Sequence, residues 1–74
     1  MAYPWSDRRL KKNATIVGKL KNGLNVYSFN YIWENGAKQL GVMADEVRKV
    51  IPEAVMVHSS GYDMVNYTEV LRCH

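Results

Sequence analysis

The sequence predicts an α+β fold, a small antiparallel sheet with one or two short helices. Two observations indicate it. Residues 24–33 alternate in the period-two pattern of a strand, and residues 44–51 carry an apolar stripe that ends at a proline, as short helices do. With 74 residues the chain has room for one small domain. We expect an irregular lead-in over residues 1–5 and a single domain over residues 6–74.

The strand over residues 24–33 is the clearest element of the sequence. Asn22-Gly23 and Asn35-Gly36 mark turns before and after it. Four aromatic side chains fall on one face: Tyr27, Phe29, Tyr31 and Trp33. The other face carries Leu24, Val26 and Ile32, so both faces are expected to be covered. The aromatic face is therefore predicted to be core or an interface with another subunit.

A second strand, a helix and a hairpin are predicted to follow. Residues 39–43 are predicted to form the strand. The helix spans residues 44–51 and ends at Pro52, with Asp45 and Glu46 in its first turn and basic residues in its last, as the helix dipole favours. Residues 54–58 and 62–67 alternate as a hairpin. Thr68 is expected to cap a final turn that ends at Leu71.

The small size of the chain makes a partner subunit an expectation. In a domain this short, the free energy gained from apolar burial roughly cancels the loss of conformational entropy, so a staple, a metal or a partner is usually needed. Cys73 is the only cysteine, which excludes an internal disulfide. Cys73, His74 and His58 lack zinc-site spacing, and we expect neither a metal nor a cofactor. The aromatic content suits an interface.

The positive charge is concentrated in the first half of the chain. Residues 1–37 carry six Lys or Arg and two acidic residues, whereas residues 38–74 carry four and five. The basic half is compatible with a nucleic-acid surface. A solvated N-terminal arm is the simpler interpretation, and nucleic acid is not the expected partner. No stretch approaches the roughly 18 apolar residues that a membrane span needs, so we expect no membrane association.

Three stretches together resemble one family. They are residues 6–13 (SDRRLKKN), residues 41–47 (GVMADEV) with residues 52–55 (PEAV), and residues 62–67 (YDMVNY) with Leu71. Their order and spacing resemble the endosialidase-type intramolecular chaperone domain of phage tail fibres and tailspikes, which is also classed as a Ser-Lys autopeptidase of the S74 type. The resemblance implies a homotrimer that aligns fibre chains for folding, with tail fibre or baseplate proteins as partners.

The resemblance also implies a cleavage site. Members of the family use a serine and a lysine five residues further on, which correspond to Ser6 and Lys11 here. Ser6 would attack the Trp5–Ser6 bond, and Lys11 would act as the general base, which requires a neutral amine and hence a lowered pKa. Residues five apart do not face each other on a regular helix or strand. Either the segment bends sharply, or the lysine of one subunit serves the serine of another.

Two features of this chain depart from the family pattern. Only five residues precede Ser6, and the sequence stops at His74, where family members usually continue into a long helix. From these departures we expect a reduced module. It would act in trans as an assembly factor or remain in the virion tail or baseplate, unless the sequence is an excised domain. Ser6 and Lys11 would then be vestigial, with an active self-cleaving peptidase as the alternative.

Overall fold

The computed structural model describes residues 5–72 and shows a small α+β domain, as predicted. A three-stranded antiparallel sheet contains β1 (Lys11–Lys19), β2 (Asn25–Tyr31) and β3 (Gln39–Gly41), in the order β1-β2-β3. Helix α1 (Ala44–Val50) follows, and then a hairpin of β4 (Val55–Val57) and β5 (Asp63–Val65). Helix α2 (Tyr67–Leu71) is the last element among the described residues.

Strand β1 is the element that the sequence did not predict. It pairs antiparallel with β2 from Lys11 opposite Tyr31 to Lys19 opposite Asn25. The register shifts twice along this pairing, and Asn13 takes a left-handed backbone conformation with φ of 55° near the first shift. Such irregularities break the period-two alternation, which explains why the polar start of β1 does not look like a strand in the sequence.

The predicted elements after β1 are found where the sequence places them, with one error. Helix α1 ends at Val50, and Pro52–Ala54 forms a 3-10 turn that leads into β4. Helix α2 is capped by Asn66, whose side chain accepts hydrogen bonds from the backbone N–H groups of Thr68 (3.0 Å) and Glu69 (3.4 Å). The prediction that Thr68 caps this turn is wrong, because Thr68 lies inside the helix and donates to the cap.

The core consists of two adjoining clusters. The larger one packs α1, the hairpin and α2 together through small aliphatic side chains: Leu24, Val42, Ala44, Val47, Ile51, Ala54, Val65 and Val70. The smaller one contains Tyr27, Phe29 and Met43 under the sheet. Both clusters depend on the segment between β3 and α1, since Val42, Met43 and Ala44 are all buried.

The segment that opens the domain is packed rather than solvated. Ser6, Asp7, Leu10 and Lys11 are buried, while Arg8 and Arg9 point outward. The prediction of a solvated arm is therefore wrong for residues 6–11, because a 3-10 turn over Arg8–Leu10 folds the segment back onto the domain.

Part of the predicted lead-in, residues 1–4, lies outside the described residues, as do Cys73 and His74. Trp5 is described and forms an isolated antiparallel bridge with Met64 on the hairpin. Between Trp5 and Arg72, no helix is long and apolar enough to cross a membrane.

A substitution at Gly41 tests the close packing between the sheet and α2. An added Cβ would lie 2.7 Å from the Tyr67 hydroxyl oxygen and 3.1 Å from Cε1 of buried Phe29. The Tyr67 hydroxyl is held in place, since it accepts a hydrogen bond from the Val42 N–H at 3.0 Å. We expect Gly41→Ala to lower the free energy of unfolding by about 1–3 kcal/mol in urea denaturation.

Gly18→Ala is the matched control, because a Cβ there meets nothing within 4 Å. It should change the free energy of unfolding by less than about 0.5 kcal/mol. Equal stability of the two variants would contradict the packing described at Gly41.

Candidate functional site

Ser6 is fully buried at the start of the domain. Its N–H donates to the Asp63 carbonyl (3.2 Å), and its carbonyl accepts from the Ala44 N–H (2.8 Å). The side-chain oxygen Oγ has no hydrogen-bond partner among residues 5–72. An unpaired buried hydroxyl costs about 1–3 kcal/mol and is uncommon in native proteins. A role as a nucleophile is one reason for a chain to keep a buried hydroxyl unpaired.

Asp7 fixes the backbone that follows Ser6. Its carboxylate accepts from Arg9 through the backbone N–H (2.9 Å), Nε (2.9 Å) and a terminal guanidinium nitrogen (2.7 Å), and from the Asp63 N–H (3.0 Å). The hydrogen bonds from the Arg9 side chain are the main reason that the pKa of Asp7 lies far below its usual value, against the opposing effect of burial. Asp7 therefore stays ionised and ties residues 6–9 to the hairpin.

Lys11 is a buried amine, with its side chain directed under the sheet. The residue is only 8% exposed, and Nζ donates to the Val42 carbonyl (2.6 Å) and lies 4.1 Å from the centre of the Phe29 ring. Burial is the main cause that lowers the pKa of Lys11 to about 8, and the positive charge of Arg8 lowers it further. A general base needs a neutral amine, and the lowered pKa makes a fraction of the neutral form present near physiological pH.

A sharp bend lies between Ser6 and Lys11. The 3-10 turn over Arg8–Leu10 separates them, and both then contact the segment between β3 and α1, Ser6 at Ala44 and Lys11 at Val42. The two side chains are not hydrogen-bonded to each other, because Ser6 Oγ has no partner within the described range. A sharp bend, one of the two alternatives for this segment, is therefore present. A lysine supplied by a second subunit stays a prediction.

Arg8 sets the charge next to Lys11. Its guanidinium pairs with Asp45 (3.2 and 3.1 Å) and with Glu46 (3.1 Å) at the start of α1. These hydrogen bonds with Asp45 are the main cause that raises the pKa of Arg8, so its charge is permanent. The pairs are half-exposed, and their contribution to stability is correspondingly small. These ion pairs fix the position of the Arg8 guanidinium, whose positive charge acts on Lys11.

The aromatic face of β2 runs from the core to the surface. Tyr27 and Phe29 are buried inside the domain, Tyr31 is half-buried and Trp33 is 59% exposed. Tyr27 and Phe29 therefore belong to the core, which was one of the two alternatives for this face. On this face, Trp33 and part of Tyr31 are accessible for contact with a neighbouring subunit.

Two site contacts were not predicted from the sequence. The Tyr31 hydroxyl donates to the Trp5 carbonyl (2.9 Å), and the Val42 carbonyl accepts from Lys11 (2.6 Å). The alternation of β2 places Tyr31 on the same face as Phe29, but no sequence signal connects that face to residue 5. Both contacts depend on the pairing of β1 with β2, in which Lys11 lies opposite Tyr31.

The lowered pKa of Lys11 predicts a specific pH dependence of stability. The pKa of Lys11 is about 8 in the folded protein, whereas its ordinary value, which applies in the unfolded chain, is 10.5. Between these pH values the unfolded chain therefore binds more protons than the folded protein. Stability therefore rises with pH across this window, by about 3 kcal/mol, and the cost of burying the charge is fully present below it. Urea denaturation of the wild type from pH about 7.5 to about 10.5 should show this rise.

Lys11→Met should remove the rise, because methionine does not titrate. Lys12→Met is the control: Lys12 is less buried and donates to the Asn35 side chain at 2.7 Å, and its variant should keep the wild-type pH dependence. Parallel curves for the wild type and Lys11→Met would show that Lys11 is not the titrating group.

Comparison with known proteins finds a family match for the chain. The sequence profile of the chaperone-of-endosialidase family, peptidase S74, matches residues 6–56, which contain Ser6, Lys11 and the segment they share. No curated protein and no solved structure matches the chain. The third stretch of the resemblance, residues 62–71, lies beyond the matched range. Because the match covers 51 of the 74 residues (6 through 56), the chain belongs to the chaperone-of-endosialidase family.

Proposed function

We propose that this chain is a trimerisation and assembly module for phage tail fibres or tailspikes, retained as a small structural component of the virion tail or baseplate. Membership of the chaperone-of-endosialidase family supports a role in tail fibre assembly. The partners are two further copies of the chain and a tail fibre or baseplate protein. The module acts in the host cytoplasm during assembly and in the virion afterwards.

The observation that carries the trimer is the apolar surface that one copy leaves uncovered. Ile16 and Val17 of β1 are 55% and 56% exposed, and Trp33 is 59% exposed. In the described part of the chain, β1 pairs with β2 along one side and has no strand on its other side. Exposed apolar side chains next to a free strand edge favour association with another chain.

Trimerisation would help a fibre to fold by raising the local concentration of its chains. Bringing three long chains into register has an entropic cost that rises with the length of chain to be closed. Joining the chains through a compact module makes the next pairing step effectively intramolecular.

The proposed trimer can be tested by light scattering coupled to size-exclusion chromatography at micromolar concentration. We expect a mass three times that of one chain. Trp33→Glu and Val17→Glu each replace an exposed apolar side chain with a charged one, and at least one should shift the protein towards a monomer.

Ser59→Glu is the control, since Ser59 is an exposed residue in the loop of the β4–β5 hairpin. It should remain trimeric. A stable folded wild-type monomer under these conditions would refute trimerisation, and two unaffected variants would place the interface elsewhere.

A second function, self-cleavage by a Ser-Lys peptidase, is favoured by two buried residues that contact the segment between β3 and α1. They are Ser6, whose Oγ is unpaired among residues 5–72, and Lys11, whose pKa is about 8. We propose that Ser6 attacks the Trp5 carbonyl carbon and that neutral Lys11 accepts the proton of its hydroxyl. At pH 7 about one-tenth of Lys11 would be neutral. The ammonium form donates to the Val42 carbonyl, whereas the neutral form has a lone pair available for the Ser6 proton.

Intact-mass spectrometry tests self-cleavage directly. We expect loss of Met1–Trp5 from the wild type, faster as the pH rises towards about 8, where Lys11 becomes neutral. Ser6→Ala should abolish the loss, and Lys11→Met should slow it by roughly 10²-fold or more, because a general base is removed.

Ser59→Ala is the control, since Ser59 is an exposed residue in the loop of the β4–β5 hairpin. It should be processed like the wild type. Retention of the complete N-terminus in the assembled wild-type protein would leave the assembly role as the only function of the module.

A further inference from the structure

The carbonyl that precedes Ser6 is held by a side chain that the Ser-Lys pair does not include. The Tyr31 hydroxyl donates a hydrogen bond of 2.9 Å to the Trp5 carbonyl oxygen. This oxygen belongs to the Trp5–Ser6 peptide bond, the bond that self-cleavage would break.

The donor is fixed in position. Tyr31 is the last residue of β2 and lies directly opposite Lys11 in the β1–β2 register. Its ring stacks on Trp33, with centroids 4.7 Å apart and an angle of 3°, and it meets Phe29 edge-on at 5.1 Å. Rings packed on two sides have few alternative rotamers, so the hydroxyl stays where it is.

The acceptor is fixed as well. The Trp5 backbone bridges to Met64, and the Trp5 ring meets His58 edge-on with centroids 4.9 Å apart. A hydrogen bond between two groups that cannot move apart is preorganised, and preorganised donors are the ones that stabilise charge during a reaction.

The Tyr31 phenol keeps its proton over the whole neutral range. Burial raises the pKa of Tyr31 above its ordinary value, and the negative charges of Tyr67 and Glu34 would raise it further. Tyr31 is therefore a donor around pH 8, where Lys11 becomes able to act as a base.

We propose that Tyr31 is a third catalytic residue of the self-cleavage reaction, whose hydroxyl stabilises the negative charge that develops on the Trp5 carbonyl oxygen. The inference rests on the self-cleavage proposed above. The Tyr31 hydroxyl would act as an oxyanion-hole donor, which stabilises the negatively charged oxygen in acyl transfer.

The reaction balances with the groups present and one water molecule. The Ser6 Oγ–carbon bond forms, the hydroxyl proton passes to Lys11 Nζ, and the carbonyl electrons move to the oxygen that Tyr31 holds. The carbon–nitrogen bond then breaks, and Lys11 returns the proton to the departing Ser6 amine. Water hydrolyses the resulting ester, which releases the Trp5 carboxylate and restores the Ser6 hydroxyl.

The neighbouring carbonyl has a different donor, which makes the cleavage position informative. The Ser6 carbonyl accepts its hydrogen bond from the Ala44 N–H at 2.8 Å. A cut after Ser6 would therefore develop charge next to Ala44 and would not use Tyr31. The mass of the product distinguishes the two bonds, because the fragments differ by one serine.

The test compares Tyr31→Phe with the wild type in the complete 74-residue chain. This substitution keeps the stacked ring and removes only the donor. We expect cleavage between Trp5 and Ser6 to become about 10²–10³-fold slower, the usual loss when one oxyanion donor is removed. The pH at which the rate is half-maximal should not change, since Lys11 remains the base.

Tyr62→Phe is the matched control, because it removes a phenol oxygen from a ring that packs on Arg9 at 4.8 Å instead. It should be cleaved at the wild-type rate. In the uncleavable Ser6→Ala background, the ¹³C resonance of the Trp5 carbonyl should move upfield when Tyr31→Phe is added, as loss of a hydrogen bond to that oxygen requires.

Each remaining outcome overturns the assignment. If the wild type is cleaved and Tyr31→Phe is cleaved equally fast, Tyr31 has no catalytic role while self-cleavage stands. A product cut after Ser6 removes Tyr31 from the reaction in the same way. An uncleaved wild type overturns self-cleavage and the role of Tyr31 together.

Discussion

The structure depends on the docking of residues 6–11 against the segment that joins β3 to α1. Two hydrogen bonds make this contact, from the Ala44 N–H to the Ser6 carbonyl and from Lys11 Nζ to the Val42 carbonyl. The docked segment lies against both core clusters, because Val42 and Ala44 belong to one and Met43 to the other. The same contact buries Lys11 and Ser6. Burial of the Lys11 amine disfavours its charged form and so lowers its pKa. The same burial therefore lowers the stability of the fold and supplies the neutral amine that a general base needs.

The strong local patterns in the sequence were enough to predict β2, β3, α1 and the hairpin. Turn dipeptides, alternation and a terminal proline are short-range signals, and these elements follow them. Strand β1 and the burial of residues 6–11 were missed because they depend on long-range pairing and on a backbone irregularity at Asn13. The family resemblance identified Ser6 and Lys11, but it did not identify Tyr31. The contact from Tyr31 to Trp5 spans 26 residues and forms only once β1 and β2 are paired.

The aromatic row on β2 connects the site to the surface of the domain. Phe29 lies under the Lys11 amine, Tyr31 holds the Trp5 carbonyl, and Trp33 stacks on Tyr31 with most of its own surface exposed. A subunit that covered Trp33 would exclude water from the outer side of this row. Exclusion of water strengthens hydrogen bonds and charge interactions nearby. Assembly and processing would in that case be coupled through packing alone, without any change of fold.

The central claim is that the fold buries the Lys11 amine against the same segment that Ser6 contacts. The most direct test is an NMR titration of the Lys11 Nζ and Cε resonances in the folded Ser6→Ala protein, in which no cleavage interferes. The account predicts a pKa of about 8 for Lys11. The resonances of Lys12, which is less buried than Lys11, provide the internal comparison in the same spectra. A Lys11 pKa near its ordinary value of 10.5 would contradict the account, because the amine would then be hydrated and charged.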